Sequence, residues 1–208
     1  MTRYDFLARL AKGLKPMAIA VALTPTLALA GPIHDAARKA DVATVTGLVK
    51  SGVYINAPDT DGSTPLIIAA LGGDTKLVEA LIALGADVKG RSDRGMTPLH
   101  AAAFSGDLDA FKLLEAAGAD VNDANNKFGV TPLIVAAEED RLAVVSYLIG
   151  EHVDLNVSER HGYSALSRAG YHGHEDVINV LLKAGAACQE ADPYWLKDCM
   201  GFKAKLGL

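Results

Sequence analysis

Thr97-Pro98-Leu99-His100-Ala101-Ala102 decides the reading of this chain. Its first three residues recur at Thr64-Pro65-Leu66 and Thr131-Pro132-Leu133, in steps of 33 and 34 residues. A weaker copy, Ser164-Ala165-Leu166, follows 33 residues later, and an eroded one, Gly31-Pro32-Ile33, lies 33 residues before the first. A fixed period of this size marks a stacked array, in which each unit buries its apolar face only against its neighbours.

The chemistry of the unit repeats in phase. Pro at the second position suits the first turn of a helix, where its missing N–H costs nothing. Thr before it supplies an N-cap oxygen. The Ala pairs Ala36-Ala37, Ala69-Ala70, Ala102-Ala103 and Ala136-Ala137 allow close helix approach. Gly73, Gly106 and Gly173 break between two helices. Gly52, Gly85, Gly118 and Gly185 end the second helix, as left-handed C-caps. Leu77, Val78, Leu81 and Ile82 are spaced for one helix face. The polar run Ala57 to Ser63 reads as a turn or short hairpin. Each unit is turn, helix, loop, helix. Two units depart: Asp140 and His152 stand where glycines are expected in the fourth, and Ala165 replaces Pro in the fifth. The turn from Asn122 to Val130 carries one extra residue.

These residues, with Gly85-Ala86-Asp87-Val88 and Gly118-Ala119-Asp120-Val121, resemble the ankyrin repeat, whose signature Thr-Pro-Leu-His-x-Ala stands at 97–102. The resemblance covers roughly 31–192. It implies an all-α, ankyrin-repeat solenoid of helix-loop-helix units with turn or hairpin connections. The expected repeats are about 31–62, 63–95, 96–129, 130–162 and 163–192.

Residues 1–30 stand apart. Arg3, Arg9, Lys12 and Lys15 precede an apolar run from Met17 to Leu23, and Ala28-Leu29-Ala30 is a small-x-small cleavage site. That is the layout of a secretory signal peptide. The stretch is short of the ~20 residues that a membrane anchor needs. Export, to a periplasm or outside the cell, is the expectation. Cys188 and Cys199 are the only cysteines, and in an oxidising compartment such a pair invites a disulfide. Asp192-Pro193 reads as N-cap and first turn of a helix over 193–208, with Trp195, Cys199, Phe202 and Leu206 on one face, covering the last repeat. A Cys188–Cys199 bond would pin it there.

The chain has 20 basic and 25 acidic side chains, and removing the leader with its four cations and Asp5 takes the net charge from −5 to near −8. No basic stripe appears, which disfavours nucleic acid and anionic membrane surfaces. No nucleophile–base–acid set or phosphate-cradling glycine loop is present. No cofactor is expected, and no catalysis. His100, His34 and the His172-Gly173-His174 run fit structural hydrogen bonding to neighbouring units, as the resemblance implies. Glu139, His161 and His172 form the one candidate metal or pH-sensing set.

Function is therefore expected on a binding face. The resemblance places that face, concave, on the turn tips and the first helix of each unit. Mapped here, the tips carry Thr60, Asp61, Ser63, Asp93, Arg94, Met96, Lys127, Phe128, Val130, Arg160, His161 and Tyr163. The first helices carry Leu71, Phe104, Glu138, Glu139, Tyr171 and His172. Aromatic residues and Arg are enriched at the energetic centres of interfaces. The expected role is a monomeric module for a protein partner, as accessory factor to a periplasmic protein. An immunity-type inhibitor, a secreted effector and a metal-dependent enzyme are the alternatives. A competing view of the aromatic positions is packing between neighbouring tips.

Overall fold

The computed structural model describes residues 31–189 and 193–208. The leader reading over 1–30 and the capping role of Asp192 lie outside the described residues. Among these residues there are eleven helices and no strand. They run in pairs: α1 (Pro32–Arg38) and α2 (Val42–Lys50), α3 (Pro65–Leu71) and α4 (Thr75–Ala83), α5 (Pro98–Ser105) and α6 (Leu108–Ala116), α7 (Pro132–Glu138) and α8 (Leu142–Gly150), α9 (Ala165–His172) and α10 (Glu175–Lys183). α11 (Pro193–Leu206) follows. No helix of the described residues is long and apolar enough to cross a membrane.

Local chemistry starts each helix. The Thr64, Thr97, Thr131 and Ser164 hydroxyls accept from the backbone N–H three residues on. The second helices begin on Asp41, Asp74 and Asp107, whose carboxylates accept in the same way. At that position α8 and α10 begin on Arg141 and His174, which make no side-chain cap. Both reach the preceding unit instead. Arg141 Nε donates to the Phe104 carbonyl at 2.8 Å, and His174 Nε2 lies 2.9 Å from the Glu138 carbonyl.

The glycines behave as their positions require. Gly73, Gly106 and Gly173 have φ of 67°, 80° and 73°, and the C-cap glycines lie between 87° and 95°. Asp140 and His152 adopt the same left-handed geometry at φ 56°, and so does Ala40 at φ 55°, in the eroded first unit. The departures from Gly thus leave the backbone path unchanged, at the cost of placing a Cβ where sterics disfavour it.

First helices pack in one row, α1 to α9, and second helices in a parallel row, α2 to α10. The Ala pairs are buried between rows. Leu66, Leu77, Leu81, Leu99, Phe111, Leu114, Ile134, Leu148, Leu166, Ile178 and Leu181 fill one continuous core. α11 lies across α9 and α10, with Trp195 and Cys199 buried and Phe202 and Leu206 against the core. Cys188 and Cys199 are joined by a disulfide, their Cα atoms 5.8 Å apart.

Candidate functional site

The turns before α3, α5 and α9 are tight hairpins without strands. Asp59 N donates to the Ser63 carbonyl, Ser92 N to Met96 and Glu159 N to Tyr163, at 2.9–3.0 Å. A polar side chain at one register position holds each tip from within. Asp59 Oδ1 accepts from Asp61 N and Ser63 N, Asn126 Oδ1 from Phe128 N and Val130 N, and Glu159 Oε2 from His161 N. Successive tips are then tied through the backbone: Asp93 N to the Asp61 carbonyl, Lys127 N to Arg94, Arg160 N to Phe128, each at 2.9–3.0 Å. The tip row is one connected strip.

His100 locks that strip to the helices. It is fully buried, and its Nε2 lies 3.0 Å from the Asp123 carbonyl and 3.1 Å from that of Val130, both in the next unit. Two carbonyls can only accept, so Nε2 carries the proton. Nδ1 lies 2.8 Å from Thr97 Oγ1 and accepts from the Thr97 amide. Burial pushes the His100 pKa below its ordinary 6.5, and its carbonyl partners only partly oppose this. His34 repeats the arrangement, bridging the Gly31 amide and the Ala57 carbonyl.

Between the tips and the first-helix row of the second to fourth units lies a trough of about 410 Å³. Ile67, Leu71, Met96, Ala101 and Phe104 line its apolar part, and Asp61, Asp93 and Arg94 its rim. Leu71 is 50% exposed and Phe104 42%, on a surface where neighbouring positions are buried. Met96 is half-buried, and Phe128, on the following tip, is exposed.

At the fourth and fifth units the face is built differently. Arg168 pairs with Glu159 at 3.2 Å and Glu138 at 3.4 Å, and its guanidinium lies 5.0 Å from the Tyr163 ring centre. Tyr163 meets Tyr171 edge-to-face at 5.3 Å. His161 Nδ1 lies 2.9 Å from the buried Glu159 carboxylate. Burial alone would push Glu159 up, but the His161 amide and ring and the Arg168 charge outweigh it and hold the carboxyl below the usual carboxylate range. His172 lies 3.8 Å from Glu138 and stacks on His174 at 5.6 Å. Here side chains expected on the partner face, Glu138, His161, Tyr163, Tyr171 and His172, are engaged with the protein's own groups. These contacts leave Tyr171 49% exposed, so the side chains here both meet neighbouring groups and face solvent.

Two sequence expectations need correction. Val130 is not on the exposed stripe: it is 8% exposed, drawn in because its carbonyl accepts from His100 and from Asn126 Nδ2. The set Glu139, His161 and His172 does not assemble. His161 turns to Glu159 and His172 toward Glu138, and among the described residues no group of three His, Cys, Asp or Glu could hold a metal. Glu139 is half-buried, while Arg94 and Arg160 are exposed.

Sequence reasoning also missed Arg168 and Asn126. Arg168 stands where other units have Ile68, Ala101 and Val135. That charge at an apolar register position, nine residues after Glu159, was the available signal.

A family model for ankyrin repeats (3 copies) matches residues 33–125 and 117–192. Ankyrin repeat and SAM domain-containing protein 6 of Rattus norvegicus is 40% identical over 62 residues, 29% of this chain and 7% of that protein. Its Mus musculus counterpart is 39% identical over 62 residues, again 29% and 7%. Espin-like protein of Homo sapiens is 38% identical over 56 residues, 27% of this chain and 6% of that protein. The chain thus spans less than a tenth of the length of each of these relatives.

Proposed function

The chain belongs to the ankyrin-repeat family, and from that premise we propose that it is a non-catalytic protein–protein interaction module whose partner docks in the trough between Leu71, Met96, Arg94 and Phe104. One observation carries this reading. Two large apolar side chains stand half exposed over an apolar floor, at the edge of a tip strip whose backbone is already tied together. Binding on such a surface loses little ordering entropy. The burial of neighbouring first-helix positions leaves Leu71 and Phe104 without a packing role that explains them.

We further propose that the protein works after export, in a periplasm or outside the cell, as an accessory factor to a protein there. The leader-like layout of residues 1–30 and the Cys188–Cys199 disulfide both fit an oxidising compartment. The test is affinity capture from the exported fraction with the parent protein and a Leu71→Ala/Phe104→Ala variant. A partner held by the parent and lost by the variant, whose melting temperature is unchanged, supports the reading. Equal capture by both sinks it. A reporter fused behind residues 1–30 that stays in the cytoplasm sinks the proposed location.

A further inference from the structure

We propose that the partner segment is acidic: an extended stretch carrying carboxylates beside a large apolar anchor, its charges lying over Arg94, Lys127 and Arg160. This rests on the reading of the trough as a protein-binding face.

Several exposed lysines, Lys39, Lys50, Lys76, Lys89, Lys112 and Lys183 among them, form no ion pair among the described residues; what sets Arg94, Lys127 and Arg160 apart is that they are the cations of the tip strip. Arg38, Arg91 and Arg168 are committed internally, to Asp59 at 2.8 Å, Asp123 at 2.6 Å and Glu159 at 3.2 Å. Arg94, Lys127 and Arg160 form no ion pair among the described residues, and all three are exposed. They stand at the tips of three successive units. Lys127 N donates to the Arg94 carbonyl, and Arg160 N to the carbonyl of Phe128, both at 2.9 Å. The stem of Arg160 lies against Gly129. The backbone at each tip and the stem of Arg160 are therefore placed, and the three residues are exposed. Arg94 borders the trough, and the exposed Phe128 sits between Lys127 and Arg160 in the row.

A row of unneutralised cations on a chain of net charge −5 is the local inverse of the protein's overall field. It favours encounter with a carboxylate-bearing segment and repels basic ones. A uniform polyanion fits poorly. Asp61 and Asp93 line the trough beside Arg94, and Glu138 ends α7 with Glu139 as its C-cap. A peptide can set its carboxylates singly over the three cations and turn an apolar side chain down onto Leu71, Met96 and Phe104. The acid rim at Asp61 and Asp93 then orients it, with the carboxylates toward Arg160.

The test is selection of a random dodecapeptide display library on the full chain. In parallel, the selection is run on an Arg94→Glu/Lys127→Glu/Arg160→Glu variant shown to melt like the parent. Expected is enrichment of Asp- or Glu-rich peptides with an adjacent aromatic or large aliphatic residue. Their affinity should fall at least about tenfold in the variant, and fall with added salt. Enrichment of basic or uncharged peptides that need Phe104 would overturn the acidic partner and leave the trough reading standing. A short single-stranded oligonucleotide that binds more tightly than any selected peptide, and is lost in the variant, would overturn it in favour of a polyanion. Failure of the parent to enrich any peptide that depends on Phe104 would overturn this proposal and the trough reading together.

Discussion

The indole of Trp195 packs directly onto the Cα of Gly170, in the space a methyl group would otherwise occupy. The equivalent first-helix positions in earlier units are Ala70, Ala103 and Ala137, each fully buried. Only at the last unit does the neighbour change from a repeat to α11, and only there is the residue Gly. Gly170→Ala should therefore lift α11 and cost about 1–3 kcal/mol through overpacking. Gly201→Ala, on α11 with open space around its Cβ, should instead stabilise by about 0.5–1 kcal/mol. Urea unfolding of the pair gives the comparison, and a neutral Gly170→Ala would refute the contact.

Acid should unfold the protein in two stages. The unfolded chain takes up a proton at His100 near the ordinary value of 6.5, while the folded chain resists it. The contribution of His100 is thus complete above about pH 6.5 and declines as pH falls below that value. Asp123 and Glu159 are held below 3.8 and 4.5, so their contributions persist above those values and fade only at lower pH. Urea midpoints measured from neutral pH downward should show an early decline that is absent in His100→Gln. His100→Leu, which leaves the Asp123 and Val130 carbonyls without this donor, should lose about 1–3 kcal/mol at neutral pH.

Ala40 holds φ 55° with no side-chain bond to compensate. Ala40→Gly should stabilise by about 0.5–1 kcal/mol, the relief of left-handed strain exceeding the added freedom of the unfolded chain. His152→Gly should gain less, because His tolerates this region better than Ala. Thermal melts of both variants measure the order.

Reduction of Cys188–Cys199, or Cys188→Ser/Cys199→Ser, should lower stability by about 2–3 kcal/mol, as expected for a separation of 11 residues. Hydrogen exchange should accelerate first in α11 and along α10. Equal acceleration through α3 and α5 would show that the clip does not act locally.

The array, its phase and its helix ends were legible in the chain, since Thr97, Pro98 and Gly106 act on backbone groups within a few residues of themselves. The structural hydrogen bonding of His100 was implied by its place in the Thr97-Pro98-Leu99-His100 signature. The Asp caps of the second helices were legible too, at Asp41, Asp74 and Asp107, but were passed over. What escaped was set across units. Val130 looked like a surface residue until His100, 30 residues earlier, claimed its carbonyl. Nothing in the spacing of Tyr163 and Tyr171 announced that Arg168 would draw Glu138 and Glu159 together beside them.

The repeat period and its Thr, Pro, Ala and Gly positions, by themselves, determined that this is a stack of helical pairs, because those residues impose caps, turns and close approach locally. Which side chains of the face pair with the protein's own charges was decided only in three dimensions. Long side chains such as Arg168 and Arg141 choose partners about a repeat away in sequence, and no periodic pattern encodes that choice.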